Sequence, residues 1–308
     1  MILSASRRTD IPCHYPEWLM NRIRAGYVLT RNPMNHARLS RIPLTPDDVD
    51  CIVFWTKDPA PLLPWLDELD ARGYRYYFQF TLTPYDRTVE HNLRPKAEIE
   101  ETFRRLSRRL GRHRVVWRYD PILMTDVLDP AYHKAQFSRL CASLADYTDT
   151  VVFSFVDPYA RRNNPPYRVP TSAEEEDLAA FIGKTAAESG LKAAACCEAG
   201  DYSRFGIGRS ACIDPARIMK ICGSGLCLKP DRNQRPGCTC VQSVDIGSYD
   251  TCHSGCAYCY ATHSPASVAR RWEKYDPAGE MLCDEPDGSE RITERKTNSA
   301  KQGQLTLF

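Results

Sequence analysis

The sequence lacks the features that mark a membrane or secreted protein. It has no run of about 18 apolar residues, so it predicts no transmembrane helix. The N-terminal stretch from Met1 to Arg8 is too short and wrongly ordered for a signal peptide. There is no internal repeat, and a net charge of +2 over 308 residues names no class of partner. We therefore expect a cytoplasmic protein with no membrane contact.

Cysteine, in contrast, is abundant, with fourteen in the chain. Disulfides rarely persist in the reducing cytoplasm, so these residues predict metal ligands together with a few buried thiols. Three of them, Cys252, Cys256 and Cys259, have C-x3-C-x2-C spacing, with Tyr258 before the third. Three thiolates leave an iron–sulfur cluster one ligand short, since such clusters normally take four. The spacing therefore predicts a cluster with one open iron. Structural zinc is the alternative, although zinc usually prefers two cysteine pairs or a histidine partner.

The triplet resembles the cluster loop of the radical S-adenosylmethionine (SAM) superfamily. This resemblance implies a 4Fe-4S cluster held by the three cysteines, with the amino and carboxylate groups of SAM on the open iron. Reduction by a donor such as flavodoxin or ferredoxin then yields a 5′-deoxyadenosyl radical that abstracts hydrogen. Tyr258 matches the aromatic residue that borders the adenine in that superfamily.

The position of the triplet departs from most radical-SAM enzymes, in which the loop follows the first strand. Here it follows the last one, which indicates a permuted order in which this unit lies beside the N-terminal strand. From Ser6-Arg7-Arg8-Thr9-Asp10 to Tyr258-Cys259-Tyr260, the chain resembles the domain-of-unknown-function 1848 family, whose C-terminal cysteine cluster is similar to the radical-SAM cluster. That family implies no activity.

Strands and helices alternate over the first two-thirds of the chain, which predicts an α/β fold with a parallel sheet. Together with the resemblance, this favours a partial or closed (β/α) TIM-like barrel. We expect a barrel core at 1–198, a Cys-rich cluster-binding region at 199–275 that closes the barrel, and a mostly disordered tail at 276–308. The segment 30–44 is expected to be a loop. The expected strands are Met1–Ser4, Tyr27–Thr30, Cys51–Thr56, Tyr74–Leu82, Arg114–Tyr119, Thr150–Val156, Leu191–Cys197 and Val241–Ile246.

Polar residues recur just after the predicted strands, where barrel enzymes place their active sites. Any single one of them is more often a helix cap or a strand end. Their recurrence nevertheless predicts one site, in which guanidinium groups suit the carboxylate of SAM or an anionic substrate. The candidates are Arg118 and Ser154 for cofactor binding and Arg7, Lys57 and Asp120 for catalysis.

A second set of cysteines precedes the triplet. Cys238 and Cys240, with Cys212 and Cys196, could hold a second iron–sulfur cluster or a zinc ion; reduced buried thiols are the alternative. Strand alternation favours Cys196 over its neighbour Cys197.

The tail ends in a pentapeptide that resembles the motif with which bacterial DNA repair and replication proteins bind the sliding clamp. Its anchors are Gln304, Leu305, Leu307 and Phe308. A short apolar anchor on a flexible tether raises the local concentration of an enzyme on its target. The alternative is a chance apolar ending.

These features favour a radical-SAM enzyme that acts on DNA, in lesion repair or base modification, after recruitment by the clamp. A row of arginines could follow a phosphate backbone, although such a row is more often a solvated helix face: Arg104, Arg105, Arg108, Arg109 and Arg112. One alternative is a radical-SAM enzyme for a metabolite, peptide or RNA. The other is a zinc-bearing nucleic-acid-binding module without radical chemistry.

Overall fold

The computed structural model describes residues 1–157, 167–223, 225–235, 237–296 and 299–300. Eleven strands lie in these ranges: β1 Ile2–Ala5, β2 Tyr27–Asn32, β3 Asn35–Pro43, β4 Cys51–Thr56, β5 Tyr76–Thr81, β6 Val115–Ile122, β7 Thr150–Phe155, β8 Lys192–Ala195, β9 Gly208–Arg209, β10 Val244–Asp245 and β11 Arg291–Glu294. The α-helices of the same ranges are α1 Ile11–His14, α2 Pro16–Ala25, α3 Leu66–Ala71, α4 Lys96–Leu110, α5 Pro130–Leu144, α6 Ser172–Glu188, α7 Pro215–Cys222 and α8 Pro265–Trp272.

Eight strands form the main sheet in the order β10-β1-β4-β5-β6-β7-β8-β9, and every neighbouring pair is parallel. The predicted α/β class with a parallel sheet is confirmed. The strand before the cysteine triplet, β10, pairs with β1 through Leu3 and Val244, as the permuted order requires. Strands β10 and β9 are the ends of the order, so closure into a barrel is not shown.

Both faces of the main sheet are buried, which is usual for parallel strands. On β4, Ile52 and Phe54 pack in the larger core cluster, which includes residues of α2, α4, α5 and α6. Val53, between them, points to a smaller cluster on the opposite face. That cluster includes Ile213 and Ile218, so the Cys-rich part of the chain covers this second face.

Helix ends follow local sequence signals. Helix α6 begins at a reciprocal capping box of Thr171 and Glu174. Before α3, residues Ala60–Trp65 form a 3₁₀ helix, and only Leu66–Ala71 is α-helical. Pro64 lies inside the 3₁₀ segment and cannot donate a backbone hydrogen bond there.

A second, smaller sheet has the order β11-β3-β2. It contains the segment 30–44, which was expected to be a loop but forms a hairpin of β2 and β3. The side chain of Asn32 fixes its turn by accepting hydrogen bonds from the backbone N–H groups of Met34 at 2.9 Å and Asn35 at 3.2 Å. Asparagine favours such turns because its side chain can replace a backbone acceptor.

The beginning of the tail also differs from the expected disorder. Strand β11 pairs in parallel with β3, and Met281 is buried against Leu29. Arg31 forms ion pairs with Asp284 and Glu290, both at 2.7 Å. This stretch is therefore ordered by specific polar contacts rather than by an apolar period. Within the described ranges, none of the helices has both the length and the apolar character that a membrane crossing needs.

Candidate functional site

A cavity of about 490 Å³ lies at the carboxyl ends of the parallel strands. Ligands of α/β sheets bind at this edge, because the loops that follow successive strands meet there. Every predicted site residue within the described ranges lines this cavity: Arg7, Lys57, Arg118, Asp120, Ser154, Cys196, Cys212, Cys238, Cys240, Cys252, Cys256, Tyr258 and Cys259. The clamp-binding candidates Gln304, Leu305, Leu307 and Phe308 lie outside the described residues.

The loop that carries the cysteine triplet is held by the segment after β5. Cys256 and Glu90 form an isolated antiparallel bridge, and the N–H of Ala257 donates to the carbonyl of Val89 at 2.8 Å. Gly255 has a φ of +65°, and a Cβ there would lie 3.0 Å from Nδ2 of Asn92. Glycine therefore lets the loop turn between its first two cysteines and approach its support closely.

The three cysteines of the triplet are reduced, partly exposed and line the cavity. Burial raises the pKa of the Cys256 thiol, and the charges of Glu90, Cys252 and Cys259 add to this effect against that of Lys57. Among the described residues, no three Cys, His, Asp or Glu side chains converge on a site for one metal ion. A cluster distributes its ligands over several irons, so it accepts more widely spaced sulfurs than a zinc ion does. Three thiols facing a cavity fit the donor set of such a cluster.

The polar groups beside Cys252 already have protein partners. Asp10 caps α1 by accepting from the N–H of Cys13 at 3.0 Å, and its second oxygen accepts from the N–H of Lys57 at 2.7 Å. Burial raises the pKa of Asp10 to about 7. His14 and Ser254 form a hydrogen bond at 3.0 Å. Asp10 thus holds α1 and the backbone of Lys57, and His14 holds the triplet loop at Ser254.

Glu90 is a buried carboxylate that the sequence analysis did not identify. Its Oε1 accepts from Lys57 Nζ at 2.7 Å and from Thr83 Oγ1 at 2.9 Å, and it also pairs with Lys96. Burial alone would raise its pKa, but the two lysines lower the pKa of Glu90 to about 2. The hydroxyl of Tyr258 donates to the same carboxylate. Glu90 therefore fixes both Lys57 and Tyr258 at the cavity wall.

Arg118, Asp120 and Ser154 form one polar wall of the cavity. Arg118 pairs with Asp120, its Nε lying 2.9 Å from Oδ2, and the hydroxyl of Ser154 donates to the same carboxylate. Burial alone would raise the pKa of Asp120, but the charge of Arg118 and the hydrogen bond from Ser154 keep the pKa of this carboxyl below its usual value. Asp120 is therefore a charged acceptor at the end of β6.

A second carboxylate, the partly buried Asp245, organises the loop after β1. It accepts hydrogen bonds from the side chains of Ser4 at 2.6 Å and Ser6 at 2.7 Å and from the N–H of Arg7 at 3.0 Å. Gly247 packs so closely that a Cβ there would lie 2.0 Å from Ser6 Oγ. Asp245 is the last residue of β10, so the rule that located the other strand-end residues would also have found it.

The second cysteine set forms a cluster of five, which we call the thiol ring: Cys196, Cys197, Cys212, Cys238 and Cys240. The sulfurs of Cys196 and Cys212 lie 3.3 Å apart. Electrostatic interactions between neighbouring thiols then link Cys212 to Cys240, Cys240 to Cys238, Cys238 to Cys197 and Cys197 to Cys196. The predicted four are thus brought together, with Cys197 as a fifth.

Strand alternation misjudged Cys197. Its φ of +58° breaks the alternation after β8, and both it and Cys196 line the cavity. A positive φ is uncommon for residues other than glycine, and nothing in the sequence indicates one at Cys197.

The arginine row on α4 is engaged with acidic side chains. Arg104 pairs with Glu101 at 2.9 Å, and Arg109 pairs with Asp67 at 2.7 Å. Arg108 also pairs with Glu101, at 3.0 Å. These contacts favour a solvated helix face over a phosphate-binding surface.

Comparisons with known proteins give a family but no activity. No curated protein matches this chain. One solved structure is from Bacteroides thetaiotaomicron and is provisionally described as an alpha-L-fucosidase; it shares 10% identity, covers 74% of this chain and 82% of its own, and has a TM-score of 0.27. A likeness this weak carries no argument about fold or function. Residues 2–261 match the family described as "Domain of unknown function (DUF1848)", and the chain belongs to that family.

Proposed function

We propose that this protein is a radical-SAM enzyme whose 4Fe-4S cluster is held by Cys252, Cys256 and Cys259. The observation that carries the proposal is the placement of these three thiols on the wall of a cavity that also contains the strand-end cations. A cluster with only three protein ligands keeps one iron open for a small molecule. Completion of the sheet into a partial or closed barrel of the radical-SAM type belongs to the same proposal.

The residues of the cavity wall suit the polar groups of SAM. Arg7 lies with its guanidinium 5.1 Å from the centre of the Trp55 ring and is the cation placed to bind a carboxylate. Asp120, charged and oriented by Arg118, is an acceptor for a ribose hydroxyl. Tyr258, held by Glu90, offers its ring to the adenine. When bound and reduced, the cluster supplies the electron that cleaves the sulfonium and releases the 5′-deoxyadenosyl radical.

The test is release of 5′-deoxyadenosine. Protein purified without oxygen and incubated with SAM and dithionite should be brown, contain iron and form 5′-deoxyadenosine. Cys256→Ala should abolish this reaction, with a loss of at least about 100-fold, because one cluster ligand is gone. Cys227→Ser changes an exposed cysteine outside the cavity and should leave the rate unchanged. Stoichiometric zinc in a colourless protein would refute the proposal in favour of the zinc-bearing binding module.

DNA remains our proposed substrate, with the sliding clamp as the recruiting partner and a flavodoxin or ferredoxin as electron donor. The support is the sequence motif at residues 304–308. The paired arginines of α4 give this proposal no further support. Deletion of residues 304–308 should remove binding to immobilised clamp while 5′-deoxyadenosine formation continues. Equal clamp binding by the deletion variant would favour a metabolite, peptide or RNA as the substrate.

A further inference from the structure

We infer that the thiol ring holds a second iron–sulfur cluster, ligated by four of its five cysteines and facing the same cavity as the triplet. The inference concerns a different set of side chains from the proposed function and does not depend on it. Iron–sulfur clusters normally take four thiolates, and the ring supplies four with one to spare.

The ring is assembled as a ligand site rather than as ordinary core. Cys196, Cys212 and Cys240 are buried in the cluster on the second face of the sheet, yet all five thiols line the cavity. Isolated buried cysteines behave as small apolar residues and need no partner. Five thiols from three separate segments instead form one continuous group of soft donors on the cavity wall, which a cluster can bind through different irons.

The charges around the ring match a cluster rather than neutral thiols. Nη1 of Arg118, a buried residue, donates to Sγ of Cys212 at 3.1 Å. Arg7 lies on the same side, where Cys212 and Cys240 are among the groups whose charge it senses. Four thiolates on a 4Fe-4S core leave a net charge of about −2, and the two neighbouring guanidinium groups offset part of it, since Arg118 is also paired with Asp120.

Two other uses of these cysteines fit less well. In structural zinc sites four protein ligands surround the ion, and its cysteines usually come in pairs separated by about two to four residues. The ring instead combines adjacent cysteines, a single cysteine and a C-x-C pair, and it faces a cavity. Cys196 and Cys212 are both reduced in the structure, with their sulfurs 3.3 Å apart.

Iron content separates this inference from the proposed function. A chain with Cys252, Cys256 and Cys259 all changed to alanine should, after anaerobic reconstitution with ferrous iron and sulfide, still hold about four irons. Adding Cys212→Ala and Cys240→Ala should remove them, whereas adding Cys227→Ser should not. The ring inference is overturned if the triple variant holds no iron, or if it takes up zinc in preference to iron.

The proposed function and the inference of a second cluster can be refuted independently of each other. A wild-type chain with about four irons that Cys256→Ala loses and Cys212→Ala retains would refute the second cluster and leave the proposed function standing. The opposite pattern would refute the proposed function and leave this inference intact.

A measurement on the wild-type chain tests the inference without requiring that the variants fold. Because four of the five cysteines must ligate, at least one of the partly exposed Cys197 and Cys238 should resist alkylation by iodoacetamide after reconstitution, and chelation of the iron should restore its reaction, as read by mass spectrometry. Equal labelling of these two cysteines before and after reconstitution would overturn the inference.

Discussion

The cysteine triplet and the thiol ring share one cavity but are built in opposite ways. The triplet comes from one short loop, and its spacing is visible in the sequence. The ring draws its members from the end of β8, from Cys212 and from the segment of Cys238 and Cys240. The residue spacing of a local motif can be recognised in the sequence. A site assembled from distant segments can be recognised only once the fold has brought those segments together.

Their supports differ as well. The triplet loop rests on the segment around Glu90, with its buried ion pairs, and on the contact of Gly247 with Ser6. The ring rests on the apolar cluster at the second face of the sheet. Substitutions in the first support should therefore affect the triplet and spare the ring.

The largest effect is expected from Glu90→Gln. This change leaves Lys57 and Lys96 without their buried counter-charge, and breaking a buried ion pair typically costs about 3–5 kcal/mol. Denaturant unfolding should show a loss of that order. The Ala triple variant of the triplet, used as a background, should keep the iron of the ring when Glu90→Gln is added.

Glu98→Gln is the matched control. Glu98 is half-exposed and pairs with Arg94 four residues away, so its removal should cost about 0–1 kcal/mol. Equal losses for the two variants would show that the Glu90 network does not support the fold.

A smaller effect is expected from Gly247→Ala. The new Cβ would lie 2.0 Å from Ser6 Oγ and 2.5 Å from Ser6 Cβ, so the loop after β1 must shift. Overpacking of this kind typically costs about 1–3 kcal/mol. The melting temperature should fall, and 5′-deoxyadenosine formation should fall with it.

Gly208→Ala is the control for this prediction. Gly208 begins a short strand of the main sheet, and a Cβ there would meet its nearest atom only at 4.0 Å. A similar loss for both glycine variants would mean that the close contact with Ser6 is not the cause.

The most gradual effect is the pH dependence of the Glu90 network. The pKa of Glu90 is lowered to about 2 in the folded protein, against about 4.3 in an unfolded chain. Its stabilisation is therefore complete above the unfolded value and is lost as the pH falls toward 2. The stability gap between wild type and Glu90→Gln, measured on iron-free protein, should narrow between about pH 5 and pH 3. A constant gap over that range would contradict the assignment.

The sequence analysis found the candidate site residues that can be recognised from a short stretch of chain. Spacing revealed Cys252, Cys256 and Cys259, and the strand-end rule found Arg118 and Asp120, because each follows from a short stretch of chain. Glu90 was not predicted, because its segment has no apolar periodicity and its partners Lys57 and Tyr258 lie far from it along the chain.

The misjudged regions have equally physical causes. The hairpin of β2 and β3 depends on the side chain of Asn32, and the stretch that leads into β11 is held by the ion pairs of Arg31 with Asp284 and Glu290. Cys197 was placed on the wrong face because alternation holds only while a strand continues.

The pairing of β10 with β1 has a consequence for synthesis of the chain. The strands at either side of the cavity's first loop meet only after the ribosome has made Val244, because Leu3 pairs with it across most of the described chain. Contacts so distant along the chain form late in folding. A nascent polypeptide therefore carries the cysteines of the cavity on separate segments, and the cavity cannot be complete before Val244 has been made.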